Sequence, residues 1–225
     1  MPQPAPNDSE RDEHDLDSQY RRPFGEVGRK VAQDMARDHL PENLWTIALL
    51  DPQPADHILE VGFGPGVAVE ELLKRMTAGR VAGVDFSETM VSEASRRNAE
   101  AIRAGRADLR YGEAEELPFA DASFDKAFSI HSIYFWSQPL TALKELHRAL
   151  KPGGLLVITM LPKDRWSPNA PGSALEFGTP ECTPYFATEV ARLMLEAGFT
   201  TTRVEADQTP ESAPHRSNFS VLATK

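Results

Sequence analysis

The sequence predicts an α/β protein with a doubly wound, mostly parallel sheet, and three observations lead to this prediction. Short apolar runs alternate with helix-like segments from His57 to the end of the chain. Three closely spaced glycines stand at the first strand-to-helix junction, and an aspartate ends the second predicted strand. Alternating strands and helices of this kind form parallel sheets with helices on both faces.

The composition is that of a globular protein. The chain has 225 residues, of which 40% are hydrophobic and 26% charged, so it can bury a sizeable core. No apolar run approaches the roughly 18 residues that a membrane span needs. The formal net charge of −10 argues against nucleic acid or an anionic membrane as a partner. Cys182 is the single cysteine, which excludes an intrachain disulfide and a cysteine-cluster zinc site.

The first segment, residues 1–20, carries acidic residues and prolines and almost nothing apolar. Such a segment buries too little surface to offset its ordering entropy, so we predict a disordered acidic tail. It has neither the basic start nor the apolar stretch of a signal peptide. We therefore expect a cytoplasmic protein.

The next segment is predicted to be a helical cap over 21–54, ahead of the main domain at 55–225. Apolar residues recur at four-residue spacing between Val27 and Met35, which is typical of a helix with one buried face. Pro41 then opens a second helix.

The main domain alternates strands and helices. The predicted strands are 57–62, 80–85, 107–111, 124–130, 154–160, 200–206 and 217–223, and the predicted helices are 67–76, 88–104, 139–150 and 188–197. The proline-rich segment 161–185 interrupts this order and follows a strand, so it leaves the ligand-binding edge of the sheet. We predict that it is a lid over the site, the alternative being an inert excursion.

The strongest functional signal is the glycine loop between the first strand and the first helix of the main domain. Gly62, Gly64 and Gly66 let the backbone turn sharply and let a ligand approach it closely. The N–H groups at the start of the following helix point toward such a ligand. Asp85, at the end of the second strand, is placed to accept hydrogen bonds from a ribose.

The spacing also restricts the kind of nucleotide. Val67 stands where the dinucleotide fingerprint requires glycine or alanine, and no P-loop lysine follows. Glu60 lies two residues before the first glycine. Glu60 and Asp85 together suit a ligand that carries both a cation and a ribose.

At this point the chain resembles the class I S-adenosylmethionine-dependent methyltransferases of the small-molecule type (methyltransferase domains 11 and 25). The motifs are Glu-Val-Gly-Phe-Gly-Pro-Gly at 60–66, Val-Asp-Phe-Ser at 84–87, Gly-Glu-Ala-Glu-Glu-Leu-Pro-Phe at 112–119 with Ser-Phe-Asp at 123–125, and Leu-Lys-Pro-Gly-Gly at 150–154. The resemblance implies a Rossmann-like sheet of about seven strands with the last strand antiparallel. It also implies S-adenosylmethionine as the cofactor and a small-molecule methyl acceptor.

The resemblance implies roles for the residues of the glycine loop and the second strand. Glu60 and the backbones of Gly62, Gly64 and Gly66 would hold the methionine end of the cofactor. Asp85 would accept hydrogen bonds from the ribose hydroxyls.

The adenine end is implied in the same way. Phe86 would lie beside the ring with Met90 near it, Glu113 would accept from the adenine amino group, and the Ala114 N–H would meet the ring. The family usually has aspartate where Glu113 stands, which puts the geometry of that contact in question.

The acceptor side depends on the end of the fourth predicted strand. The resemblance places Ser129 and His131 next to the reactive methyl group. His131 is the best-placed candidate for the general base that a hydroxyl acceptor would need, and the alternative is a carbon or amine acceptor that reacts without a base. The candidates for the substrate pocket, which could instead pack in the core, are Tyr20, Phe24, Tyr134 and Trp136. The remaining histidines lack metal-ligand spacing, so we predict no metal site.

Two other functions stay open at this level. The chain could be a non-catalytic S-adenosylmethionine-binding module, because an intact binding loop does not prove turnover. An NAD-dependent oxidoreductase is the other alternative, against which Val67 argues. The sequence carries no signal for the acceptor atom or the oligomeric state.

Overall fold

The computed structural model describes residues 16–161, 163, 182–207 and 218–225. Most of the predicted tail and most of the predicted lid at 161–185 lie outside these residues. Within the described ranges, no helix has the length and apolar character that crossing a bilayer requires.

The described residues form a seven-stranded sheet. Its strands are β1 His57–Val61, β2 Arg80–Asp85, β3 Ala107–Tyr111, β4 Phe124–Ile130, β5 Leu150–Met160, β6 Thr201–Ala206 and β7 Phe219–Thr224. Their order is β3-β2-β1-β4-β5-β7-β6. Strands β1 to β5 pair in parallel, and β7 is antiparallel to both β5 and β6. The predicted doubly wound sheet with an antiparallel last strand is confirmed.

The helices follow the predicted order with two differences. They are α1 Leu16–Arg21, α2 Gly25–Asp38, α3 Leu40–Leu50, α4 Val67–Arg75, α5 Glu88–Arg97, α6 Ala99–Arg103, α7 Pro139–Ala149 and α8 Ala187–Glu196. Helix α1 begins inside the segment predicted as tail, where the buried Gln19 side chain accepts a hydrogen bond from the Phe24 N–H at 3.0 Å. The predicted helix at 88–104 is divided at Asn98, whose side chain donates to the carbonyls of Ala94 and Gly66.

Each face of the sheet is covered by its own core. Ile47 and Leu72, from α3 and α4, pack with Phe128 on one face. Leu143 of α7 and Val190 of α8 cover the other face. Because the central strands are buried on both sides, they read in the sequence as nearly continuous apolar runs.

The cap helix α3 is tied to the sheet by hydroxyl groups as well as by packing. Thr46 Oγ1 lies 2.6 Å from Thr159 Oγ1 on β5, which in turn lies 2.7 Å from Ser220 Oγ on β7. All three residues are fully buried. These bonds satisfy the hydroxyls and hold α3 at the carboxyl edge of the sheet.

The winding direction of the sheet reverses at β1, which lies between β2 and β4. Glu60 on β1 is paired with Gly83 on β2 and with Phe128 on β4. The loops after these three strands therefore meet at one carboxyl edge, which is where open α/β sheets bind ligands.

Helix α5 packs directly on the glycine loop at Gly66. This residue has φ of 75°, and a Cβ added to it would lie 2.7 Å from Asn98 Nδ2 and 2.8 Å from Ala94 Cβ. Only glycine allows both the left-handed backbone and this close approach.

We expect Gly66→Ala to destabilise the fold more than Gly105→Ala does. Gly105 has φ of 68° but no atom within 4 Å of an added Cβ, so its alanine variant carries only the backbone strain, about 1–2 kcal/mol. The clash at Gly66 should add about 1–3 kcal/mol in the free energy of unfolding. Chemical denaturation of both variants measures the difference, and equal losses would contradict the packing described here.

Candidate functional site

A cleft of about 730 Å³, including its open mouth, lies at the carboxyl edge of the sheet. Its floor is formed by the glycine loop and by the residues that follow β2 and β4. The helical cap contributes the opposite wall through Tyr20, Arg21, Pro23, Met35, His39 and Asn43. The cap therefore closes the main domain's ligand edge on one side.

A second, smaller cleft of about 320 Å³ adjoins the first. Both clefts are lined by Gly62, Asp85, Phe86, Ser132 and Phe135, and the smaller one also by Glu113, Ala114, Glu115 and Trp136. Because the two clefts share these residues, they form one elongated site with two compartments.

The three glycines of the loop have different tasks. Gly62 has φ of 76°, and an added Cβ would lie 2.4 Å from Ser132 Oγ, so this glycine lets Ser132 approach the loop. Gly64 has φ of 50° and no atom within 4 Å of an added Cβ, so it borders open space in the larger cleft. Gly66 lines neither cleft, and its N–H donates to the Phe63 carbonyl. The expectation that all three face a ligand is corrected for Gly66, which instead supports the packing of α5.

Asp85 is buried, and two backbone groups orient its carboxylate. The Gly64 N–H donates to Oδ2 at 2.8 Å, and the Ser87 N–H donates to Oδ1 at 2.9 Å. Burial raises the pKa of Asp85 to about 6, although the N–H groups of Ser87 and Gly64 oppose that rise. Asp85 thus joins the end of β2 to the glycine loop and keeps further lone pairs for a ligand.

Glu60 places a second buried carboxylate on the floor of the larger cleft. Its side-chain atom Oε2 has no hydrogen-bond partner among the described residues. Burial raises the pKa of Glu60 well above its usual value, and the neighbouring charge of Asp85 raises it further. A buried acceptor without a partner is unfavourable, so this position suits a ligand that supplies a donor or a positive charge.

His131 lies just after β4, in a backbone conformation that is unusual for a residue other than glycine. Its φ is 52°, and its N–H donates to the Thr159 carbonyl at 2.9 Å. The ring lines the larger cleft, and Nδ1 lies 3.3 Å from the Tyr134 hydroxyl. Strained backbone of this kind is concentrated at functional sites.

The structure separates the four predicted pocket aromatics. Tyr20 lines the larger cleft and Trp136 lines the smaller one, where its indole N–H donates to Ser132 Oγ at 3.0 Å. Tyr134 and Phe24 line neither cleft, so their placement in the pocket is corrected. Both pack as buried residues instead.

The Tyr134 hydroxyl has a structural task at the end of β5. It accepts a hydrogen bond from the Leu161 N–H and lies 3.2 Å from the Leu161 carbonyl.

Ser129 does not line either cleft, contrary to its expected place beside the methyl group. Its side chain is fully buried, and its Oγ has no hydrogen-bond partner among the described residues. Side chains alternate along a strand, so Ser129 faces the core.

The remaining predicted cofactor residues border one or both compartments of the site. Phe86 borders both compartments, Met90 borders the larger one, and Glu113 and Ala114 border the smaller one. No group of three or more His, Cys, Asp or Glu residues within the described ranges is arranged to hold a metal ion.

The sequence singled out Tyr20 and Phe24 near the cap, but not the other cap residues that lie at the site. Arg22 Nη2 donates to the Tyr111 hydroxyl at 3.0 Å, and its guanidinium lies 5.8 Å from the centroid of the Phe86 ring. His39 and Asn43 line the larger cleft from the start of α3. No motif marks these residues, and helical spacing alone gives no information about which residues of the cap meet the sheet edge.

The chain is similar to known proteins. A family model described as a methyltransferase domain matches residues 59–158. The chain is 37% identical to the uncharacterized methyltransferase YdaC of Bacillus subtilis over 130 residues, which are 58% of this chain and 70% of that protein. It is 33% identical to the O-methyltransferase cnsE of Penicillium expansum over 150 residues, and spans 54% of that protein's length.

The fold has the same kind of relatives. The crystal structure of a SAM-dependent methyltransferase from Aquifex aeolicus superposes with a TM-score of 0.67 at 22% identity, covering 89% of this chain and 98% of that one. The chain thus combines the glycine loop, the buried Asp85 and the seven-stranded sheet with sequence similarity to proteins named as methyltransferases. The chain belongs to the class I S-adenosylmethionine-dependent methyltransferases and is an enzyme that uses S-adenosylmethionine as its methyl donor.

Proposed function

We propose that this enzyme transfers the methyl group of S-adenosylmethionine to a small-molecule acceptor held between the glycine loop and the helical cap, in the cytoplasm. The larger cleft supports this proposal, because both the glycine loop and the cap line it, so an acceptor can lie between them. A concave site with a few polar groups suits a small ligand. The net charge of −10 is unfavourable for nucleic acid as a substrate.

The residues at the glycine loop fit the methionine end of the cofactor. The orphaned Oε2 of Glu60 is an acceptor for an ammonium group. The open space beside Gly64 leaves room for a ligand against the backbone. Gly62 packs closely against Ser132 and borders both compartments of the site.

The residues around Asp85 fit the nucleoside end. The carboxylate is already oriented by the N–H groups of Gly64 and Ser87 and would accept from the two ribose hydroxyls. Phe86 would lie against the adenine ring, with Met90 on the side of the larger cleft. In the smaller compartment, Glu113 and the Ala114 N–H would bind the edge of the ring, beside Trp136.

The protein contributes mainly alignment and the exclusion of water. When bound, S-adenosylmethionine supplies a methyl group on a sulfonium, which is already a strong electrophile. Positioning of two reactants can lower the barrier by about 7–11 kcal/mol. Met35, Ile130 and Phe135 give the larger cleft apolar walls that favour a dry contact between them.

His131 is the general base of this proposal. The Tyr134 hydroxyl, which accepts from the Leu161 N–H, can also accept a hydrogen bond from a protonated Nδ1 of His131. That tautomer leaves Nε2 basic and able to take a proton from an acceptor hydroxyl. Tyr134 is therefore a positioning residue in this proposal and does not touch the acceptor.

We expect Gly64→Ala to weaken S-adenosylhomocysteine binding by about tenfold or more, which is a loss of about 1.4 kcal/mol. The added methyl group points into open space in the free protein, so it would instead meet the bound cofactor. Isothermal titration calorimetry measures the affinity. Gly105→Ala is the matched control, since it has the same backbone strain away from the site. Equal affinities in both variants would exclude the cofactor from this loop.

We expect the affinity for S-adenosylhomocysteine to fall as the pH drops below about 6, where Asp85 takes up a proton. The ionised form accepts two hydroxyl bonds, each worth about 1.5–3 kcal/mol, so affinity should be highest above that pH. Titrations across pH in wild type and in Asp85→Asn measure this effect. The variant should bind weakly throughout and with a flatter profile; an unchanged profile and affinity would remove Asp85 from the site.

We expect His131→Asn to lower kcat by about 100-fold or more while leaving S-adenosylhomocysteine affinity nearly unchanged. Asparagine tolerates positive φ, so the backbone of the variant should not be strained further. Single-turnover methyl transfer to an acceptor found by screening measures the rate, with the exposed His57→Asn as the control. A lower melting temperature with preserved turnover would instead indicate a structural histidine.

A further inference from the structure

A second histidine, His39, lies next to His131 in the larger cleft. The ring of His39 lies with its centroid 5.3 Å from that of His131, and the two planes are inclined by 56°. His39 stands between α2 and α3, where its N–H donates to the Met35 carbonyl and its own carbonyl accepts from the Asn43 N–H. These two backbone bonds hold the turn, so His39 is presented to the cleft by a fixed piece of the cap.

Asn43 adds an amide group to the same wall. It is only 9% exposed and lines the larger cleft. Its backbone N–H donates to the His39 carbonyl at 3.1 Å, which fixes its place at the start of α3. The side-chain amide offers two N–H donors and one oxygen acceptor on the lining of the cleft, and an oxygen atom of a ligand can accept from the donors.

The charges of the cleft are divided between its two walls. The two carboxylates, Glu60 and Asp85, lie on the side of the glycine loop. Among the described residues that line the cleft, the cap contributes Arg21, His39 and Asn43 and no carboxylate. This lining offers hydrogen-bond donors to an oxygen that gains negative charge, and it suits such an oxygen better than an ammonium group.

The apolar residues that line the larger cleft indicate the shape and polarity of the acceptor. Tyr20, Met35, Ile130 and Phe135 line the cleft around the two histidines. Aromatic and thioether side chains pack well against flat ring systems. A planar molecule with one acidic hydroxyl matches both the walls and the polar groups.

We propose that His39, Asn43 and His131 form an acceptor subsite for a phenol- or enol-type hydroxyl, which makes this enzyme an O-methyltransferase; the inference rests on the proposed methyl transfer. The acceptor O–H bond breaks as its proton passes to Nε2 of His131. The oxygen lone pair forms the O–CH₃ bond while the S–CH₃ bond breaks, and that electron pair remains on sulfur in S-adenosylhomocysteine. His39 and Asn43 donate hydrogen bonds to the oxygen and set its direction.

The test uses the full chain loaded with S-adenosylhomocysteine and two kinds of probe. The phenols are 4-nitrophenol and 7-hydroxycoumarin, whose phenolates have distinct absorption or fluorescence, and the amine is 4-nitrobenzylamine. We expect both phenols to bind with an increased phenolate fraction, and the amine to bind at least about tenfold more weakly.

The variants separate recognition by these side chains from general packing. His39→Leu and Asn43→Leu should each weaken phenol binding by about tenfold or more, with S-adenosylhomocysteine affinity within about twofold of wild type. His39→Gln keeps an N–H donor and should retain more phenol affinity than His39→Leu. Asn43→Asp places a carboxylate on the cap wall and should move the preference toward the amine. His57→Gln, at the opposite end of β1, is the matched control and should change neither affinity.

Several results would overturn this inference. They are equal or tighter binding of the amine by wild type, phenol affinity that survives both leucine variants, and no phenol binding by protein that binds S-adenosylhomocysteine. If S-adenosylhomocysteine itself does not bind, the proposed function fails, and the acceptor subsite fails with it.

Discussion

The hydrogen bond from the Gly64 N–H to the buried carboxylate of Asp85 is the constraint on which the site depends. It joins the loop after β1 to the end of β2, and it can form only because parallel pairing brings the two strand ends to the same edge. On its other sides, the loop is in contact with Ser132 at Gly62 and with α5 at Gly66. A side chain at either of these two glycines would push the loop away from its neighbours, and the cleft would lose its floor.

The same geometry places two acids close together in a buried position, which is unfavourable for the free protein. Burial raises the pKa values of both Glu60 and Asp85, and the charge of Asp85 adds to the effect on Glu60. A cofactor that carries an ammonium group, a sulfonium and ribose hydroxyls compensates for this arrangement. The electrostatics of these two buried acids therefore favour a cationic nucleoside over an anionic one.

The position of the cap side of the larger cleft depends on how helix α3 is attached to the sheet. Helix α3 is held by Thr46, through Thr159 and Ser220, and by apolar packing on the sheet. This attachment brings His39 and Asn43 to the larger cleft, where the centroid of the His39 ring lies 5.3 Å from that of His131. The proposed acceptor subsite thus combines residues of the cofactor-binding sheet with residues of an N-terminal segment that carries no motif.

The sequence by itself determined the sheet, its order of elements and the glycine loop with Glu60 and Asp85, because these depend on local periodicity and on short-range spacing. It did not determine which side chains line the cleft and which are buried in the core. Tyr134 and Trp136 lie two positions apart, yet one is buried against Leu161 and the other borders the smaller compartment, because the short 3-10 helix Ile133–Phe135 directs them differently. The break at Asn98 and the place of His39 likewise depend on contacts with residues more than thirty positions away along the chain. Such contacts exist only once the chain has packed. Only the tertiary structure therefore decided which cap residues line the larger cleft beside His131.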